Sequence, residues 1–278
     1  MGYDILKVPR PRRATPRPAP PAVAAVWPLP RRAGGPTDEG IRDAFARFPF
    51  WHYAYRFEGG LSLPTSHSDP GLDTDDPIRP LQRFGHFMPY LVHAHGGTLK
   101  GKRVLDIACN SGFWSIQCAL LEAEVVGFDG RSELIEEANL LKSITGVEGV
   151  DFEVLDFWSM SPQTLGGTFD IVLNLGFLYH VPEPLNALEL TRSMARTHVL
   201  LDTAVHPSDE TAVHLRWETP FDIRAATDEG IAALPTRSAV ELMLRHLKVC
   251  DWAQIPVRTD DVPLDYRTRR RASWLIEV

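Results

Sequence analysis

Val104-Leu105-Asp106-Ile107-Ala108-Cys109-Asn110-Ser111-Gly112-Phe113-Trp114-Ser115, and after it Val125-Val126-Gly127-Phe128-Asp129, are the stretches that decide the fold. An apolar run ends in a carboxylate, small residues make a turn, and a stretch of helical length follows. A second apolar run then ends in another carboxylate, Asp129, twenty-three residues after Asp106. Strand, turn, helix and strand in that order predict two parallel strands joined by a right-handed crossover. At the carboxyl edge of such a sheet, a turn of small residues lets the backbone approach a ligand closely. Ala108, Cys109, Asn110, Gly112 and Trp114 are the candidate contacts on this turn. Asp129, followed by Gly130, is placed to accept hydrogen bonds from a ribose diol.

The G-x-G-x-x-G run that would bring a helix N-terminus onto a pyrophosphate is missing. Asp106 points the same way, because an anion at the strand end repels a pyrophosphate and attracts a cationic sulfonium and amino group such as those of S-adenosyl-L-methionine. A nicotinamide oxidoreductase is therefore disfavoured. Asn110 tolerates a positive φ better than most residues, so the turn is feasible without further glycines.

The alternation continues through helix Trp114-Leu121, strand Val125-Phe128, helix Glu133-Ile144, strands Phe152-Leu155 and Ile171-Leu175, helix Leu185-Ala195 and strand Val199-Asp202. It predicts an α/β fold with a mostly parallel sheet. After helix Arg237-Leu247, the segments Val249-Pro256 and Ala272-Val278 have no helix between them and suit an antiparallel pair. Upstream, residues 38–57 read as a helix running into the aromatic cluster Phe48 to Tyr55. Residues 79–93 read as a helix with Leu81, Phe84, Phe87, Met88 and Leu91 on one face. The expected organisation is a Pro/Arg-rich solvated tail over residues 1–37, a cap over 38–97 and a core over 98–278.

The net charge of −7 is unevenly spread: residues 1–32 carry +6 and the rest −13. An acidic body argues against broad contact with a phosphate backbone, which needs clustered cations. Three cysteines without C-x-x-C spacing suggest neither a disulfide framework nor a zinc site, and fit a reducing cytoplasm. No apolar run is long enough to cross a bilayer. Asp202, His206 and Asp209 are the residues a catalytic metal would want, but loop spacing of this kind is a weak signal, and no metal is expected.

Ala108-Cys109-Asn110-Ser111-Gly112 resembles motif I of class I S-adenosylmethionine-dependent methyltransferases, with only Gly112 of its usual glycines present. The combination of Cys109-Asn110-Ser111-Gly112-Phe113-Trp114-Ser115, Leu175-Gly176-Phe177-Leu178-Tyr179-His180-Val181-Pro182-Glu183-Pro184-Leu185 and Trp51-His52-Tyr53 is similar to the tRNA wobble-uridine 5-oxyacetate methyltransferase family and its small-molecule relatives. The resemblance implies a Rossmann-like, seven-stranded sheet with an antiparallel last strand, and S-adenosyl-L-methionine as cofactor. By it, Asp156 and Phe157 would hold the adenine, Asn174, Leu175 and Gly176 would contact the cofactor, and Trp51 would join them. Tyr179 and His180 would face the methyl-transfer site, with His180 as general base. Tyr53, Tyr55, His206 and Arg271 are the candidates on the substrate side.

The wobble-uridine enzyme carries a lysine close after the matching tryptophan, for a carboxylated cofactor. Here no lysine follows Trp51 until Lys100, so ordinary S-adenosylmethionine is expected. The expected activity is methyl transfer to a small molecule, at oxygen or else nitrogen. A tRNA methyltransferase and a catalytically silent cofactor-binding scaffold stay open beside it, as does a homodimer.

Overall fold

The computed structural model describes residues 19–65, 78–218 and 230–278. Residues 1–18 of the expected tail, and residues 66–77 of the irregular stretch after Leu63, lie outside the described residues.

The cap comes first. Helix α1 (Asp38–Phe45) starts where Thr37 Oγ1 accepts from Gly40 N at 3.2 Å, and its first turn carries Asp38 and Glu39, which suit the positive end of the helix dipole. It stops at Phe45 rather than running on to residue 57, because the aromatic residues beyond pack on one another and Pro49 cannot continue the ladder. The small pair β1 (Tyr55–Arg56) and β2 (Ser62–Leu63) follows, and then α2 (Ile78–Ala94), whose Phe84, Phe87, Met88 and Leu91 are fully buried.

The core alternates β3 (Arg103–Ile107), α3 (Phe113–Leu120), β4 (Glu124–Asp129), α4 (Ser132–Thr145), β5 (Val150–Val154), β6 (Phe169–Leu175), α5 (Pro184–Ser193) and β7 (Ala195–Ala204). A hairpin of β8 (Val213–Glu218) and β9 (Gly230–Pro235) interrupts it. Helix α6 (Arg237–His246), β10 (Asp251–Gln254), the short α7 (Leu264–Arg267) and β11 (Arg271–Glu277) complete the chain. The sheet order is β10-β11-β7-β6-β3-β4-β5, with β3 to β7 parallel and β11 antiparallel to both of its neighbours. This is the Rossmann-like arrangement expected of the sequence, antiparallel closing pair included.

Strand alternation sorts the core into two layers. Val104, Ile171, Leu173, Leu200 and Leu275 meet α2, α3, α4 and the cap. Leu105, Ile107, Val172, Val199, Leu201, Trp274 and Ile276 meet α5 and α6. Strand order reverses between β3 and β6, so their carboxyl ends diverge and leave the crevice in which open α/β sheets bind ligands.

Residues 19–37 depart from the solvated tail that their composition suggests. Val26 exchanges two backbone hydrogen bonds with the buried side chain of Gln117, at 2.9 and 3.0 Å, and Leu29 is buried while its backbone bonds to Arg56 and Glu58. Val23, Ala25 and Trp27 pack against the cap-side core, and this apolar burial outweighs the loss of chain freedom in a proline-rich stretch.

Candidate active site

The turn after β3 is built from left-handed residues: Ala108 at φ 52°, Asn110 at φ 53° and Gly112 at φ 82°. Gly112 is required twice over, since a Cβ there would also lie 2.6 Å from the Phe152 ring. Ala108 has no such freedom and holds its conformation at a cost of about 1 kcal/mol. The surroundings enforce it. Cys109 N donates to Phe128 O at 2.8 Å, Asn110 Oδ1 accepts from Ser111 N at 2.7 Å, and Ser111 Oγ pairs with Tyr55 OH at 2.7 Å.

Three carboxyl groups gather around this turn. Asp106, 1% exposed, accepts from Ser115 Oγ at 2.6 Å, and burial pushes its pKa up to about 7. Asp129, at the tip of β4, accepts from Asn110 N and Arg131 N, each at 3.1 Å, and burial raises its pKa too. Glu137 of α4 is buried with Oε2 unpartnered, and burial together with the nearby Asp129 raises it to about 8. Nothing in the sequence pattern singled out Glu137, which stands at an ordinary helical position.

Other expected contacts are placed differently. Trp51 is 3% exposed, stacks on Phe45 at 3.8 Å and donates Nε1 to Phe45 O, so it is a core residue of the cap rather than a surface of the crevice. Tyr55, expected on the substrate side, is fully buried and braces Ser111; Tyr53 is nearly buried, edge-on to Phe113. In each case the aromatic cluster satisfies itself. Trp114 and Cys109 are buried, and Gly130 is exposed. The Asn174 side chain turns toward α5, where Nδ2 donates to Thr191 Oγ1 at 3.1 Å, leaving only its backbone to the crevice. Asp156 caps the short helical turn that follows it, accepting from Trp158 N at 2.9 Å, while Phe157 packs on Phe177 at 4.3 Å. At Gly176, φ 116°, an added Cβ would lie 3.7 Å from the Tyr179 hydroxyl, which places that hydroxyl beside the Leu175-Gly176 backbone.

A second constellation lies on the β7 side. Asp202 is fully buried and accepts from Arg83 Nη2 at 2.7 Å, Arg271 Nη1 at 2.6 Å, Ser273 Oγ at 2.7 Å and the Tyr266 hydroxyl. The two guanidiniums hold its carboxyl well below the usual range, against the burial that would raise it. Arg271, expected to meet substrate, is thus a structural ion-pair partner. Its Nη2 also donates to Tyr179 OH at 3.4 Å, and both Arg271 and Arg216 lie over the Tyr179 ring.

Next to Tyr179, His180 Nδ1 is 2.7 Å from Glu218 Oε2, with both side chains mostly buried; Glu218 Oε1 in turn accepts from Arg216 Nη2 at 2.6 Å. The β8-β9 hairpin delivers this carboxylate and docks on the His180 turn through Ala233 N donating to Val181 O. Alternation in Val213-His214-Leu215-Arg216-Trp217-Glu218 was the signal that could have found the strand and, with it, Glu218.

The three residues considered for a metal are separated. Asp202 is saturated by donors, Asp209 pairs with Arg269, and His206 stacks on His214 at 3.7 Å. No group of three His, Cys, Asp or Glu side chains able to hold a metal is found among the described residues. Among them too, no helix is long and apolar enough to cross a membrane.

Residues 98–214 match the family model described as a methyltransferase domain. The chain is similar to the ubiquinone biosynthesis O-methyltransferase of Bordetella parapertussis, 27% identical over 124 residues that make up 45% of this chain and 51% of that protein. The enzyme of the same name from Paraburkholderia xenovorans is 32% identical over 124 residues, 45% of this chain and 52% of that one. The chain spans about half the length of the curated relatives it matches. Among solved structures, the N-terminal domain of EvdMO1 with SAH bound superposes with a TM-score of 0.65 at 21% identity, covering 89% of this chain and 98% of that one. The shared architecture is the class I methyltransferase fold.

Proposed function

We propose that this chain binds S-adenosyl-L-methionine and methylates a small molecule at oxygen, with His180 as general base. The cofactor supplies a methyl group on a sulfonium centre. Residues around the β3 turn fit it: Asp129 has acceptor capacity beyond its two backbone donors, the orphaned Oε2 of Glu137 lies alongside, and Asp106 favours a cation. Asp156, Phe157 and the Leu175-Gly176 backbone border the same crevice. The relatives are named O-methyltransferases, and the neighbouring fold carries SAH, which supports the reading without defining the acceptor.

The observation that carries base catalysis is the His180–Glu218 pair. A carboxylate on Nδ1 keeps the proton there in the neutral ring, so Nε2 presents a lone pair to an acceptor hydroxyl. Glu218 also stabilises the imidazolium once the proton has moved. Arg216 holds the far oxygen of Glu218 and fixes the direction of the pair. Placing the acceptor in line with the methyl group supplies much of the remaining acceleration. The acidic body favours a small acceptor over tRNA, although three short motifs resemble the wobble-uridine enzymes.

The test is methyl transfer from labelled S-adenosylmethionine to a panel of phenols, catechols and sugars, with SAH affinity measured in parallel. His180→Ala is expected to lower turnover about 10²- to 10⁴-fold with cofactor affinity nearly unchanged. Loss of both together would make His180 a structural residue, and full turnover would leave proximity alone as the source of rate.

A further inference from the structure

A cavity of about 370 Å³ opens beside β10, α7 and the start of β11, lined by Arg237, Arg267, Arg269 and Arg271 together with Gln254 and Tyr266. Four arginines around one concavity are unexpected in a body that is strongly acidic beyond residue 32. Two of them are neutralised: Arg271 by Asp202 at 2.6 Å and Asp265 at 3.0 Å, Arg269 by Asp209 at 2.7 Å. The other two are not. Among the described residues no carboxylate pairs with Arg237, whose Nη2 donates only to the Arg271 carbonyl at 3.3 Å, or with Arg267 at the end of α7. Partial burial and the like charge of Arg269 pull the pKa of Arg237 down, and Asp209, already paired with Arg269, offsets this only in part. Like charges held together in a concave site are unfavourable unless an anion joins them.

We propose that this cavity is an anion subsite for a phosphate group, with Arg237 and Arg267 as its principal ligands. Two guanidiniums without a contacting carboxylate suit the two charges of a phosphate monoester, and their planar donor forks suit its oxygens. The subsite adjoins the methyl-transfer region, since Arg271 both lines it and donates to Tyr179 OH. The phosphate is then carried either by the acceptor, which rests on the methyl-transfer reading, or by a separate phosphorylated ligand, which does not.

The experiment is calorimetric titration of the full chain with inorganic phosphate at low ionic strength, with sodium chloride of equal ionic strength as control. Saturable binding is expected, weakened at least tenfold in the Arg237→Gln/Arg267→Gln double variant and at least threefold in Arg267→Gln alone. Arg267 is exposed, so the single variant keeps the test valid if the double variant fails to fold. Absence of saturable binding, or equal binding by wild type and Arg267→Gln, would overturn the subsite whatever the fate of the methyl-transfer reading. Phosphate inhibition competitive with the methyl acceptor would place the group on the acceptor, and non-competitive inhibition would place it on a second ligand. Either form upholds the subsite.

Discussion

Asp106 and Asp202 are both buried near the carboxyl ends of strands in one sheet, yet their carboxyl groups are pushed in opposite directions. Asp202 receives two guanidiniums and two hydroxyls, and stays ionised far into acid. Asp106 receives only Ser115 as donor, and burial, with Asp129 nearby adding to it, raises its pKa to about 7. Burial is the same for both; compensation is not. The β7 cluster is closed within the protein and joins α2, α7 and β11 to the sheet. The β3 cluster has fewer donors, and the charges of Arg83 and Arg131 do not overcome its burial; on the proposed function, a ribose bearing two hydroxyls beside a sulfonium cation would add both donors and charge.

The largest effect that would break this contrast concerns Asp202. Asp202→Asn leaves Arg83 a buried cation with a neutral partner and Arg271 with Asp265 as its remaining carboxylate, and is expected to destabilise the protein by about 3 to 5 kcal/mol in urea unfolding. A loss below about 1 kcal/mol would mean that water already compensates the cluster. Next, Asp129→Ala removes an acceptor that the ligand is expected to use. Calorimetry should show SAH binding weaker by about 1.5 to 3 kcal/mol in a variant that melts like wild type.

Smaller effects sharpen the contrast through pH. Asp106 and Glu137 have folded pKa values of about 7 and about 8, above the 3.8 and 4.5 of the unfolded chain. The folded state therefore binds their protons more tightly. Their contribution is fully present below about pH 4 and is lost as pH rises through the folded values. Glu137→Gln should remove its share of that loss, gaining about 2 kcal/mol on wild type between about pH 5 and about pH 6.5, as read from unfolding curves at each pH. Asp202 carries the opposite sign, with stability lost as pH falls below the usual carboxylate range. The smallest effect concerns the ligand's charge. Affinity for S-adenosylmethionine should rise by up to about tenfold from pH 6 to pH 8 as Asp106 ionises, and affinity for uncharged-sulfur SAH should rise less. Equal slopes for the two would show that Asp106 does not feel the sulfonium.

The sheet was legible because strand-end carboxylates, small-residue turns and helical spacing are local signals, each written within about a dozen residues. Gly112, Asn110 and Asp129 could be singled out on that basis, and the positive φ at Asn110 follows from its own side chain. Trp51, Tyr53 and Tyr55 were misassigned for a related reason. An aromatic run reads the same whether it faces a ligand or itself, and only the packing against Phe45, Phe113 and Ser111 distinguishes the two. The proline-rich segment before α1 failed in the opposite direction, since its composition gives no hint that Gln117, ninety-one residues away, will hold Val26 at two points.

What the sequence determined by itself is the order of elements, the parallel core with its antiparallel closing pair, and the position of a crevice at the ends of β3, β4 and β6, because hydrophobic period and turn chemistry act over short chain distances. What tertiary structure decided is which charges are spent and which are left over. Arg83 and Tyr266 reach Asp202 from α2 and α7, Glu218 reaches His180 from a hairpin, and Arg237 and Arg267 line one cavity from α6 and α7. Electrostatic compensation is set by distance in space and by burial, and neither is encoded at any single position in the chain.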